Sequence, residues 1–535
     1  MLRDSERTAI HVGVGPIRAC LIFPERYEVG MSNLGFHQVY RLMASHAAVA
    51  CERGFRDRAL GSASFETGRQ LGEFDLLAFA LPFELNYIGM AAMLEQAGIP
   101  VRSSQRDESH PIVIAGGVAV SANPEPVAAF VDAVIAGDAE PGLETVLDTL
   151  AEHMNHSRSR LLDELASVPG VYVPSRHEPQ YGAPGELRGH QLMCADRPAI
   201  ARMAARAQDR RVPARSAVLT PHTEFSGALL VELTRGCPRR CRFCLASALA
   251  PSRFFSADRV LAAVPEPDGA RKVGLLGASV SDHPALEQIV TRLIDTGHCV
   301  TVSSLRHDTV SDTLLSALAR GGQRTVTFAP ETGSRALACR IGKRFRDGSL
   351  EDAAARAIRA GLRNVKLYFM IGLPEETDED VAALTDLVGR VAARIRVLQR
   401  EGYRVGRLRT TVSAFVPKPL TAFEHLPIVA PAVLRSRMLR IVATLRRQPL
   451  VTVRTSSQRW FRVQAVLSRS DRRGADLIES IVLGRSSPAA AVRRWVEAGP
   501  APAIDGFDRS TSRPWDVLAR AEYADAAGRA GLCQG

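Results

Sequence analysis

Lysine is nearly absent from this chain of 535 residues: Lys272, Lys343, Lys366 and Lys418 stand alone among 68 basic residues, so arginine supplies the positive charge. That bias is compositional, and scattered arginines carry little information by themselves. Apolar runs are short. None approaches the ~18 residues of a membrane span, which excludes a bilayer-crossing helix. The opening MLRDSERTAIHVGVGPIRAC has mixed charge and lacks the apolar centre of a secretory signal, so a cytoplasmic location is expected. Cysteines number nine. An odd count without an export signal argues against a disulfide framework, and clustered thiols then point to metal or redox chemistry. With 46% hydrophobic and 23% charged residues the composition is that of a globular protein. At ~150 residues per domain the length allows three or four domains and excludes one small stapled module.

From Arg18 to about His153, short β-like runs (RACLIFP, FDLLAFALP, PIVIAGG, VDAVIAGDAE) alternate with helix-length stretches. Strands that are apolar throughout and alternate with helices indicate a parallel sheet covered on both faces. Residues 1–155 are therefore expected to form a doubly wound, Rossmann-like α/β domain with its ligand site at the carboxyl ends of the strands. Those ends are Tyr27 to Gly35, Pro82 to Asn86, Gly116 to Asn123 and Gly137 to Glu140. Residues 156–220 lose the rhythm and are expected to form a linker or wrapping segment, with one strand near Gly170 to Pro174. A second βα series runs from 221 to 425: ALLVELTRG, KVGLLGAS, VTVSSLR, RTVTFAPETGS, NVKLYFMIGLP and TVSAFVPKP. Six such strands suit a partial (β/α)6 barrel with chemistry at the C-terminal strand ends. Residues 426–535 hold 18 arginines against 9 acids and are expected to form an Arg-rich helical cap over the barrel.

The segment VELTRGCPRRCRFCLAS places Cys237, Cys241 and Cys244 in a loop directly after a predicted strand. Three thiolates can hold three irons of a [4Fe–4S] cluster and leave the fourth iron open. Structural zinc takes four protein ligands, and no fourth cysteine or paired histidine lies nearby. This segment resembles the radical S-adenosylmethionine (SAM) superfamily, whose signature is Cys-x3-Cys-x2-Cys with an aromatic residue, here Phe243, before the last cysteine. The resemblance covers about 225–425. It implies a [4Fe–4S] cluster and SAM as cofactors, with the open iron chelating the amino and carboxylate groups of SAM. It also implies an electron donor such as flavodoxin or ferredoxin.

Further site residues follow from the same resemblance. Gly277, Ala278 and Ser279 stand where the superfamily has a Gly-Gly-Glu-like turn for the methionine amino group. Glu331 stands where a polar side chain meets the ribose hydroxyls. Lys343, twelve residues on, is the expected partner of the SAM carboxylate. Arg306 is a polar candidate at the pocket rim. The run from Tyr368 to Glu375 resembles the adenine-contacting segment, with Ile371 and Gly372 as its contacts and Tyr368 replacing its first glycine.

An α/β domain ahead of such a core resembles the cobalamin-binding branch of the superfamily. YEVGMSNLGF, FELNYIGM, AGGVAVSANPEP and AGDAE look like uncharacterised members of that branch. No Asp-x-His-x-x-Gly occurs, so no protein histidine is expected on cobalt; bound cobalamin and an empty scaffold both remain open. Methylthiotransferases need three N-terminal cysteines for a second cluster, but only Cys20 and Cys51 precede Cys194. Cys533 alone follows the barrel, so one cluster is expected. The reaction class is hydrogen abstraction from an unknown substrate, with catalytic side chains unidentified. Its leading outcome is cobalamin-dependent C-methylation and its alternative a cobalamin-free rearrangement or oxidation; from a different class, a non-catalytic iron–sulfur sensor would bind RNA through the basic tail. In the tail, Arg435 to Arg473 contains eleven arginines and one aspartate. It suits RNA, an acidic partner or a solvated helical face.

Overall fold

Strands that are apolar on both faces need cover on both faces, and the N-terminal sheet has it. The computed structural model describes residues 2–57, 61–182, 186–192, 200–204, 212–265, 271–499, 502–508 and 511–519. Strands β1 (Ile17–Phe23), β2 (Val49–Phe55), β3 (Leu76–Ala80), β4 (Ile112–Gly116), β5 (Ala133–Ile135) and β6 (Val171–Tyr172) form one sheet in the order β2-β1-β3-β4-β5-β6. All neighbours are parallel except β5 and β6. This is a doubly wound order whose switch point lies between β1 and β3. Leu21, Ala78 and Ile114 pack on one face with Phe36, Tyr40 and Met43 of helix α1 (Leu34–Ala44). Asn33 starts that helix by accepting a hydrogen bond from the Phe36 N–H at 2.9 Å. On the other face Ile22, Phe79 and Ala115 pack with Tyr87, Met90 and Leu94 of α2 (Asn86–Gln96). A short helix, α3 (Val118–Ala122), follows β4.

The described part of residues 156–220 holds a helix and short strands. The helix Arg158–Ser167 buries Leu161, Leu162 and Leu165 in the N-terminal core. A hairpin joins His177–Tyr181 to Leu187–Leu192, and Val218–Leu219 pairs with Arg7–Thr8. Cys194 and Cys533 lie outside the described residues.

The second unit opens with β7 (Leu229–Arg235), the Cys loop and α4 (Leu245–Leu249). Then come β8 (Lys272–Gly277), β9 (Cys299–Val302), β10 (Thr325–Glu331), α5 (Arg335–Arg340), β11 (Asn364–Ile371), α6 (Asp378–Arg400), β12 (Leu408–Ala414), α7 (Pro431–Arg446) and β13 (Val451–Thr455). The six expected strands are present, and β13 is a seventh parallel strand inside the region read as wholly helical. The strands form two groups, β7–β9 and β10–β13, bridged at Leu305 and Phe328. Outward-facing residues such as Val326, Leu367 and Val412 bury against helices including α6 and α7.

Of the C-terminal region, α7 covers the barrel, with Leu434, Met438, Ile441 and Leu445 in its core. After α7 and β13, helices α8 (Gln458–Arg469), α9 (Gly474–Val482) and α10 (Pro488–Glu497) turn back to the N-terminal unit. Val463, Val466, Leu477, Ile478 and Val492 join the core beneath β1, β3 and β4. The physical reason is the uncovered half of that sheet face, which α2 alone does not span. Several of the tail's arginines have intramolecular partners. Arg437 meets Glu376 at 2.8 Å, while the buried Arg469 donates to the carbonyls of Glu424 and Leu426 at 2.8 and 2.7 Å. Among the described residues no helix is long and apolar enough to cross a membrane.

Candidate functional site

The Cys loop leaves β7 at its carboxyl end. Gly236, with φ +70°, makes the turn; a Cβ there would lie 2.3 Å from the Pro251 carbonyl oxygen, so no larger residue fits. Cys237, Cys241 and Cys244 are all half-buried free thiols, and the Cys244 N–H donates to the Cys241 carbonyl at 3.0 Å. Each thiol lies in the electrostatic reach of the others, and burial pushes Cys241 and Cys244 up while Lys343 opposes it. Among the described residues no three His, Cys, Asp or Glu side chains close around one ion. Phe243 packs against a small apolar cluster of Leu337, Ile341, Leu373, Phe415 and Phe423, which Met370 of β11 also packs against.

Lys343 and Glu331 face each other across this site: Lys343 Nζ is 2.6 Å from Glu331 Oε1. Glu331 has φ +70°, an uncommon conformation for a side-chain-bearing residue, and burial pushes its carboxyl up against the pull of Lys343. At the end of β8, Gly277 lies against Thr234, where a Cβ would sit 2.2 Å from the threonine hydroxyl. Ser279 donates to Asp282, which Arg239 also holds at 2.9 Å. The Ser279 hydroxyl is thus committed within the chain, and Asp282 is the acid of this turn, three residues beyond the expected position. Arg306 pairs with Asp308 at 2.5 Å.

Ile371 and Gly372 are placed otherwise than an adenine contact requires. Ile371 shares the outward face of β11 with Leu367 and Phe369 and is fully buried in the barrel core. The space beside Gly372 is filled by Val429, whose Cγ1 lies 2.6 Å from a Cβ built there. The Gly372 N–H donates to Glu376 at 2.7 Å. Glu376, which the sequence reading did not single out, is pushed up to about 7 by burial despite Arg437.

A cavity of about 580 Å³ lies where the N-terminal strand ends meet the barrel. Its walls include Ser32 to Gly35, Ala80 to Pro82, Gly116 to Val118 and Gly137 to Glu140 from one side. Thr234, Arg235, Ala246, Leu249, Ala250 and Ala278 close the other. All four N-terminal strand ends expected to carry a ligand thus contribute. Among the described residues no histidine lines it, and Val118 at its edge is 48% exposed. Arg235, two residues before Cys237, clamps the two units: it pairs with Asp138 and Glu140 at 2.9 Å each and with Glu232 at 2.7 Å.

Two family models match this chain: radical SAM proteins, N-terminal, over residues 35–174, and the radical SAM superfamily over residues 231–388. Together they span more than half of it. The chain belongs to the radical SAM superfamily. An uncharacterized protein of Methanocaldococcus jannaschii is 29% identical over 411 residues, covering 76% of this chain and 78% of its own. Among solved structures, the radical SAM methyltransferase TsrM of Kitasatospora setae, solved with cobalamin and a [4Fe–4S] cluster, is similar at 12% identity. It covers 74% of each chain at a TM-score of 0.45. The cobalamin-dependent SAM radical enzyme OxsB is similar at 13% identity, with 87% of this chain and 66% of that one covered at a TM-score of 0.48. In this radical SAM protein the Cys loop, Lys343 and Glu331 occupy one mouth of the barrel, and the cavity opens beside them.

Proposed function

We propose that this radical SAM enzyme uses cobalamin to methylate an unactivated carbon. The observation that carries the reading is a shared wall: α4, which follows Cys244 directly, supplies Ala246 and Leu249 to the cavity at the N-terminal strand ends. Cys237, Cys241 and Cys244 would hold the [4Fe–4S] cluster. Lys343 and Glu331 would exchange their mutual ion pair for the carboxylate and ribose of SAM, since a carboxylate excluded from water needs a cationic partner. When bound, these groups supply reductive cleavage of SAM to methionine and a 5′-deoxyadenosyl radical that abstracts hydrogen, together with a methyl carrier. The chain itself binds, orients and excludes water.

The cavity's largely apolar walls, on which no histidine stands among the described residues, would suit a corrin held without a protein histidine. An electron donor such as flavodoxin or ferredoxin supplies the electron, in the cytoplasm. Anaerobic loading with hydroxocobalamin, followed by absorption and electron paramagnetic resonance spectroscopy, tests this. Retained cobalamin whose Co(II) signal lacks histidine nitrogen splitting is expected. An intact cluster with SAM cleavage and no retained cobalamin would turn the reading to a cobalamin-free rearrangement or oxidation.

A further inference from the structure

The inner face of β10–β13 carries cations that the site described so far does not use. On β11, Val365, Leu367, Phe369 and Ile371 lie outward in the core, so Lys366, Tyr368 and Met370 face the lumen. On β12, Leu408 and Val412 lie outward, leaving Arg409 and Thr411 inward. On β13, Val451 and Val453 pack on the core and Thr452 and Arg454 face in. The register aligns Thr327, Lys366, Arg409 and Thr452 in one row across four strands, and Tyr368, Thr411 and Arg454 in the next.

Like charges on neighbouring strands repel. Lys366 Nζ lies 4.8 Å from the centre of the Tyr368 ring, a contact that orients the ammonium without neutralising it. Among the described residues no carboxylate pairs with Lys366, Arg409 or Arg454, and the one acid on these four strands, Glu331, is held by Lys343. Other arginines of this chain, such as Arg235 and Arg437, do have acidic partners. A cationic row turned into a barrel lumen is the arrangement that an anionic ligand completes.

Resting on the reading that this barrel acts on a substrate beside the Cys loop, we infer that the substrate presents a carboxylate or phosphate to Lys366, Arg409 and Arg454. The hydroxyls of Thr411 and Thr452 stand in the same rows to donate to it. Met370, four residues along the same face, packs against the same apolar cluster as Phe243 of the Cys loop. Four strand residues span about 13 Å. The anionic group and the reacting carbon therefore lie at opposite ends of the substrate. Lys366 is half-buried on the concave face of these strands, while Arg409 and Arg454 are exposed, so the row is open to solvent at β12 and β13.

Calorimetric titration of the anaerobically loaded holoprotein with inorganic phosphate and with citrate tests the site. Saturable binding of at least one is expected, weakened roughly tenfold or more by Lys366→Gln or Arg409→Gln and recovered in Lys366→Arg. Unchanged cluster absorption and melting temperature verify that the variants fold. Tighter phosphate identifies a phosphorylated substrate, and tighter citrate a carboxylate. Equal binding by the wild type and the double variant overturns the inference. So does an RNA oligonucleotide that needs these residues when neither small anion binds. A wild-type protein that never cleaves SAM, yet binds phosphate through Lys366 and Arg409, refutes the radical reading and leaves the anion site standing.

Discussion

Lys343 and Glu331 hold each other at 2.6 Å, which satisfies two poorly exposed charges. Lys343→Ala should weaken SAM binding by ~3 kcal/mol, more than a hundredfold, measured by equilibrium dialysis on the cluster-loaded protein. Unaltered affinity would place Lys343 outside the SAM site. Glu376 allows a second test. Its carboxyl is pushed up to about 7 by burial, against an ordinary value of 4.5. Between those values the folded protein binds more protons than the unfolded chain, so stability is fully present below pH ~4.5 and falls as pH rises towards 7. The loss is about 3 kcal/mol at most. Glu376→Gln keeps an acceptor for the Gly372 N–H and should remove that part of the slope in denaturant titrations at pH 5 and 8. At this scale the sequence was informative where spacing is local. The cysteine triplet and the twelve-residue step from Glu331 to Lys343 both converge in space. Ile371 was misjudged as a ligand contact because strand parity, invisible without the core around it, turns its side chain outward.

Among the elements, α8, α9 and α10 are the ones whose packing was not legible. Their apolar stripes are visible, yet nothing local records that the partner is a sheet more than 300 residues earlier. The strand β13 left a signal, the alternation V-T-V-R-T, but it is short and lies in an Arg-rich helical context. By contrast, the N-terminal strands and the six barrel strands were legible because each is an apolar run with turn residues at its carboxyl end. If α9 is part of the N-terminal core, Leu477→Ala, at a site 2% exposed, should cost about 2–5 kcal/mol in global stability. Chemical denaturation followed by near-ultraviolet circular dichroism gives the number, and a change below 0.5 kcal/mol, as at a surface position, would detach α9 from that core.

At the scale of the whole molecule, the cavity exists because two parallel-sheet units present strand ends to each other, with Arg235 locking them. The clamp joins Arg235 to Asp138 and Glu140 across nearly a hundred residues, a pairing no sequence window reveals. Arg235→Ala removes the cationic partner of the poorly exposed Glu140 and Glu232, leaves Asp138 with Arg253 alone, and should destabilise the protein by about 3–5 kcal/mol. It should also lower cobalamin retention, read by gel filtration with absorption detection. Cobalamin retention at wild-type level in a folded variant would separate the clamp from the cavity.

The central claim is that the Cys loop presents a cluster to SAM at the barrel mouth. Its most direct test is to reconstitute the wild type and Cys241→Ala anaerobically, reduce both with dithionite, and quantify 5′-deoxyadenosine formed from SAM together with bound iron. Four irons per chain and nucleoside release in the wild type, with both lost in the variant, are predicted. Four irons and 5′-deoxyadenosine release retained by Cys241→Ala would contradict the account.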